Sequence, residues 1–254
     1  MKRWLAGLAR SGLKKAGFEL RNRKFSFVDP LEDIARMRAG CPLRQILDVG
    51  ANVGDSAAEY RSRFPEAVIH CFEPTPSLLK GLEARFAGDA QVRLVGAAVS
   101  KEVGKATLNI ASAQTMNSLF ALNKEYHGVK VLDAVEVDTV TIASYCESAA
   151  IEHIDLLKID IEGAEREALQ GAEEFLRRGA VDFLLLEVHF SVLYAGQTTF
   201  GDLEAILSPH GYRLYGMYDF AREPNGCLDF CNLLWVSRSV YDSLPKDYLY
   251  RAAH

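Results

Sequence analysis

Two rhythms of apolar and polar residues alternate along the chain. Nearly unbroken apolar runs of strand length occur at QILDVG (45–50), AVIHCFEP (67–74), QVRLVGAAV (91–99), HIDLLKID (153–160) and VDFLLLEVHF (181–190). Between them, residues 54–64, 76–87, 164–178 and 200–208 carry apolar positions at helical spacing, and a further helix is expected over 31–39, before the Cys41-Pro42 break. Strands this uniformly apolar are buried on both faces, as in a parallel sheet covered by helices. The intervening helices are long enough for right-handed crossovers. Two other pairs differ. KATLNI (105–110) and VEVDTV (135–140) alternate like an added hairpin, and GYRLYGM (211–217) and FCNLLWVS (230–237) are joined by too few residues for a helical crossover. The last two are expected to be antiparallel neighbours. The pattern predicts an α/β fold, a doubly wound, mostly parallel sheet with a terminal antiparallel strand.

Composition narrows this picture. The chain has 254 residues, 49% apolar and 25% charged, which suits one domain over 41–254 preceded by an N-terminal helical extension over 1–40. No run of about 18 apolar residues is present to span a bilayer, and the basic start lacks the apolar stretch of a secretory signal. Five cysteines without CxxC spacing fit a reducing, cytoplasmic setting. The net charge of −5 is unevenly spread, because residues 1–24 hold eight Lys/Arg and one acid, Glu19. That segment reads as a helix packed on its own domain, with docking to an anionic inner-membrane surface, a partner or a second copy of the chain as alternatives. The acidic remainder speaks against a nucleic-acid groove.

Chemistry gathers at the strand ends. Ligands of open α/β sheets collect beyond the carboxyl ends of the strands, and these ends carry Asp48, Glu73, Gly96-Ala97, Asp160 and Glu187. The first turn, DVGANVGDS (48–56), places Gly50 and Gly54 where the backbone turns tightly before a helix. Its spacing is GxxxG, lacking the GxGxxG of dinucleotide folds and the Lys of a P-loop. Glu73 lies 19 residues beyond Gly54, the place for a carboxylate that accepts from both ribose hydroxyls, and Pro74 closes its strand. Asp48 is unwelcome beside a pyrophosphate and useful beside an ammonium. A nucleoside carrying a cationic amino acid, S-adenosylmethionine, satisfies both acids. A NAD-dependent oxidoreductase and a catalytically silent nucleotide-binding module are the rival readings.

The segments ILDVGANVGDS (46–56), HCFEPTPSLLKGLE (70–83), VGAAVS (95–100), MNSL (116–119), VDTVTIASYC (137–146), LLKIDIEGAEREALQGAEEFL (156–176) and LLLEVH (184–189) together resemble the FkbM-type methyltransferases, a branch of the class I S-adenosylmethionine-dependent enzymes. The resemblance implies a seven-stranded Rossmann-like sheet and transfer to a hydroxyl of a sugar, glycan, glycolipid or secondary-metabolite acceptor. It also implies cofactor roles for Asp48, Gly50, Asn52, Gly54 and Glu73. Asp55, Pro74, Ala97 and Asp160 complete the expected cofactor set, Ala97 offering backbone groups to the adenine.

For the chemical step, a hydroxyl must lose a proton as it attacks the methyl group, so a base or a metal is wanted. Asp160, Glu187 and His189 are the candidates, and Glu187 and His189 share a strand face by their period-two spacing. His189 has the ordinary pKa of a base. Alternatively Asp160 and Glu187 hold Mg²⁺. Glu162 and Glu165 are expected in the first turn of the next helix, opposing its dipole. Met116-Asn117-Ser118 interrupts a long connection (111–128) of the kind that covers pockets.

Overall fold

The computed structural model describes residues 29–123 and 128–244. A helix, α1 (Pro30–Met37), is capped by Asp29, whose side chain accepts from the amides of Leu31 and Glu32. The chain then alternates β1 (Gln45–Val49), α2 (Asp55–Arg63), β2 (Val68–Phe72), α3 (Pro76–Arg85) and β3 (Val92–Val95). An excursion follows through β4 (Ala98–Val99), β5 (Gly104–Ala111) and β6 (Val131–Val140). The main pattern resumes with α4 (Ile142–Ser148), β7 (Ile154–Ile159), α5 (Glu165–Gln170), α6 (Glu173–Arg177), β8 (Val181–His189) and α7 (Phe200–Leu207). It closes with β9 (Arg213–Tyr218), β10 (Phe230–Val236) and α8 (Arg238–Ser243).

Seven strands form one sheet in the order β3-β2-β1-β7-β8-β10-β9. Every pairing is parallel except those of β10, which runs antiparallel to both neighbours. The chain winds outward from β1 to β3, then crosses back to β7, so strand order reverses between β1 and β7. A crevice opens beyond that reversal. The uniformly apolar strands are buried on both faces as their composition requires. Leu47, Val49, Leu157, Ile159, Leu184 and Leu186 face α4 to α7. Ile46, Ile69, Leu156, Phe183 and Leu185 face α1 to α3 and α8. Each such side chain contributes about 1.5–3 kcal/mol relative to exposure.

Three points of the sequence reading are corrected. The run 91–99 is two strands. The backbone bends at Gly96-Ala97, where a Cβ on Gly96 would meet Leu79 Cδ2 at 2.7 Å, and β4 leaves to join β5 and β6 in a second, three-stranded sheet. The helix expected over 164–178 is broken, because Gly171 packs with its Cβ position only 2.3 Å from the Ser100 carbonyl oxygen. Helix α4 went unread, although Thr141 and Ser144 form a reciprocal capping box at its start. Leu31 and Ile34 of α1 belong to the core of the domain, and Tyr218 Oη donates to Asp33 Oδ2 at 2.6 Å. The basic segment 1–24 lies outside the described residues. No described helix is long and apolar enough to cross a membrane.

Candidate active site

A cavity of about 510 Å³ opens beyond the carboxyl ends of β1, β2, β7 and β8. At one end its wall is the first turn, where Gly50 (φ +84°), Asn52 (φ +48°) and Gly54 (φ +86°) are left-handed. Glu73 ties this turn down. Its Oε2 accepts from the Asn52 amide at 2.9 Å and its Oε1 from the Thr75 amide at 2.8 Å. Burial raises its pKa, and the hydrogen bonds from Thr75 and Asn52 oppose that rise. Each oxygen keeps a lone pair, and the side chain borders the cavity with Pro74, Gly50 and Asn52.

Other expected contacts sit elsewhere. Gly50 has its open side toward the protein, since a Cβ there would fall 1.9 Å from the Asp160 carbonyl oxygen. Gly54 similarly packs against Leu82 and Phe86 and does not reach the cavity. Asp55 lies at the rim with its side chain 80% exposed, paired to Arg85 Nη1 at 2.7 Å. Ala97 borders a small adjoining space of about 30 Å³, which shares Gly50, Pro74, Leu108, Asn117 and Ile161 with the main cavity.

Asp48 is the largest correction. It points to the α2 side of the sheet, fully buried, with Lys158 Nζ 3.2 Å from its Oδ1. The strand register makes Asp48 and Lys158 direct neighbours across β1 and β7, so the acid is answered from within the protein. The carboxylate is fully buried and does not line the cavity. Lys158 does reach it, donating to the Gly50 carbonyl at 2.9 Å and standing 3.4 Å from Asp160 Oδ2. Burial works against its charge, but Asp160 and Asp48 outweigh burial and keep it protonated. The sequence reading missed Lys158, whose role depends on pairing two strands about a hundred residues apart.

At the opposite end of the cavity, Glu162 Oε2 and Glu187 Oε2 lie 3.4 and 3.2 Å from His189 Nε2. Glu187 and His189 do share a face of β8. Glu162 is not in a helical first turn. Its φ is +56°, which swings its side chain into the cavity, where Tyr194 Oη donates to it at 2.8 Å. Glu165 is the turn-stabilising acid, accepting from the amides of Gly163 (3.1 Å) and Ile161 (3.3 Å). Burial opposes charge on His189, yet the two glutamates outweigh it and raise the pKa well above the ordinary range. Its Nε2 thus stands against two carboxylates at this end of the cavity. Burial and the charge of Asp160 raise Glu187. The expected metal pair is also revised, since Asp160 faces Lys158 and the donors that converge are those of Glu162, Glu187 and His189. Gln114 to Asn117 cover the cavity from above, and Asn117 Nδ2 donates to Thr75 Oγ1 at 3.2 Å. Ser118 lies deeper, its Oγ donating to the Glu162 carbonyl at 2.7 Å.

A family model described as the methyltransferase FkbM domain matches residues 48–214. This chain belongs to the FkbM methyltransferase family. The span of the FkbM match takes in the strand-end acids from Asp48 to Glu187 and stops short of β10. The FkbM-family chain is 27% identical to 2-O-methyltransferase NoeI of Sinorhizobium fredii, over 60% of its own length and 66% of NoeI. It is 25% identical to 31-O-demethyl-FK506 methyltransferase FkbM of Streptomyces tacrolimicus, over 77% of this chain and 84% of that protein. Among solved structures, magnesium protoporphyrin IX methyltransferase of Synechocystis overlays with a TM-score of 0.46 at 12% identity, covering 81% of this chain and 76% of the other.

Proposed function

We propose that this FkbM-family chain transfers the methyl group of S-adenosylmethionine to a hydroxyl oxygen of a small-molecule or saccharide acceptor. The observation that carries the reading is Glu73. It is a buried carboxylate at the end of β2, fixed by two backbone amides and bordering the cavity at the point where strand order reverses. Its remaining lone pairs suit the two ribose hydroxyls, with the Gly50–Asn52 turn alongside and Pro74 against the nucleoside. Lys158 stands on the same wall as a fixed cation for the carboxylate of the methionine moiety, and Asp160 beside it faces the ammonium. The names of NoeI and of the Streptomyces FkbM protein, both O-methyltransferases by their descriptions, support oxygen as the attacking atom.

In the reaction, the acceptor oxygen attacks the sulfonium methyl in line. The new O–C bond forms as the C–S bond breaks, and the electron pair leaves with sulfur as S-adenosylhomocysteine. The hydroxyl proton passes to Asp160, which borders the cavity and, unlike Glu162 and Glu187, is not engaged with His189. Holding the reacting atoms in line supplies several kcal/mol of the barrier reduction, and the cover formed by Gln114 to Asn117 excludes water. Calorimetry with S-adenosylhomocysteine and NAD in parallel is the test, followed by a panel of hydroxylated acceptors with methyl-tritiated cofactor. Micromolar binding of S-adenosylhomocysteine alone is expected. Binding of NAD in its place would overturn the reading.

A further inference from the structure

We propose that Glu162, Glu187 and His189 form a binding site for one first-row divalent cation at the acceptor end of the cavity. The three donor atoms lie within 4.8 Å of one another. Neither contact of His189 Nε2, at 3.2 and 3.4 Å, meets hydrogen-bond geometry, and both ring nitrogens lack a hydrogen-bond partner among the described residues. The ring nitrogen thus stands close to both carboxylates. Donors bound to an ion at about 2.0–2.2 Å sit roughly 3.0–3.5 Å apart, which is the spacing of each carboxylate from His189 Nε2. His189 is deeply buried, its side chain 8% exposed, and the two glutamates are each 12% exposed. Groups so placed need a cation, and among the described residues no Arg or Lys pairs with either glutamate.

The surroundings are those of oriented ligands. Tyr194 Oη donates to the same Glu162 oxygen that faces the imidazole, and Ser118 Oγ holds the Glu162 carbonyl. Such outer partners fix ligand direction in metal centres. The left-handed backbone of Glu162 is a conformation that non-glycine residues rarely adopt, and it is what brings the third donor to the other two. Two carboxylate oxygens with one imidazole nitrogen suit Mn²⁺ or Zn²⁺ better than the all-oxygen shell of Mg²⁺. Protein donors fill three positions and leave others open to the cavity. On the function proposed above, on which this last step rests, the acceptor hydroxyl binds the ion, loses its proton to Asp160, and attacks as an alkoxide.

The probe is Mn²⁺, titrated into the full chain and followed by electron paramagnetic resonance. One Mn²⁺ per chain is expected, and pulsed spectra should show coupling to an imidazole ¹⁴N. Glu162→Gln and Glu187→Gln should each weaken binding at least tenfold, and His189→Ala should abolish the ¹⁴N coupling. His153→Gln, at the opposite end of the sheet, should leave binding unchanged. Absence of Mn²⁺ binding to the unmodified chain below millimolar concentration would overturn the proposal without recourse to any variant. So would binding that ignores Glu187→Gln or is lost in His153→Gln. S-adenosylhomocysteine affinity, read by calorimetry on the same samples, tests the cofactor reading separately and reports that each variant is folded.

Discussion

The central sheet carries a histidine with two acids at each of its ends, and the two clusters are treated in opposite ways. At the amino-terminal ends of β7 and β8, His153, Asp155 and Asp182 come together. Arg38 reaches in from beyond α1, its Nη1 2.7 Å from Asp182 and its Nη2 3.1 Å from Asp155. Asp155 Oδ2 also accepts from the backbone amides of Arg44 and Gln45. Every acid there is answered by a guanidinium or an amide, and the cluster pins α1 and the entry to β1 onto the sheet. At the carboxyl ends, Glu162, Glu187 and His189 have the same chemistry without the arginine, and they border a cavity. The same residue types therefore serve as a clamp where the protein satisfies them and as a site where it leaves them open. Function is read from what remains unanswered more than from which residues are present.

Substitutions separate the two ends, and the largest effect belongs to the cavity. Asp160→Asn should lower methyl transfer to a competent acceptor by about 100-fold or more, with unfolding stability changed by less than about 1 kcal/mol, read by radiolabel transfer and urea denaturation. A fall in stability with transfer preserved would erase the contrast. Next comes the clamp. Arg38→Ala leaves Asp155 and Asp182, 5% and 7% exposed, without their cation. It should cost about 3 kcal/mol in urea unfolding while S-adenosylhomocysteine affinity stays within about twofold.

Glu73→Gln is smaller. It keeps the shape of the side chain but replaces one acceptor with a donor, and should weaken S-adenosylhomocysteine about tenfold, near 1.4 kcal/mol, in calorimetry. The smallest effect concerns pH. The hydrogen bond that His153 donates to Asp182 raises the His153 pKa, with burial opposing it. The associated stability is fully present below the ordinary histidine value near pH 6.5 and is lost as pH rises through the raised one. Because the ring is about half exposed, His153→Gln should flatten the melting profile above pH 6.5 by less than about 0.5 kcal/mol. His70 does not interfere. Burial, aided by the charge of Arg93, lowers its pKa to about 4, so its own contribution is lost only as pH falls from 6.5 toward 4.

Much of this was legible in the chain. The apolar runs fixed the main strands because burial on both faces leaves a plain signature, and period two placed Glu187 and His189 together. What escaped depended on contacts between distant segments. Asp48 looked free because its partner, Lys158, becomes a neighbour only through the β1–β7 register. Glu162 looked like a helix-start acid because nothing local announces a left-handed backbone at a non-glycine residue. The break at Gly171 follows from the approach of the Ser100 carbonyl, far away in sequence. Helix α4 is the exception, for its capping box is local. The strand reading ended at Val140 and passed over the Thr141–Ser144 pair just beyond it.

The most direct measurement is a crystal structure of the chain with S-adenosylhomocysteine. The account predicts the nucleoside in the cavity between β1 and β7, both ribose hydroxyls on Glu73 and the sulfur turned toward Asp160. A ligand seated elsewhere, or one in this cavity that leaves Glu73 without a ribose contact, would contradict it.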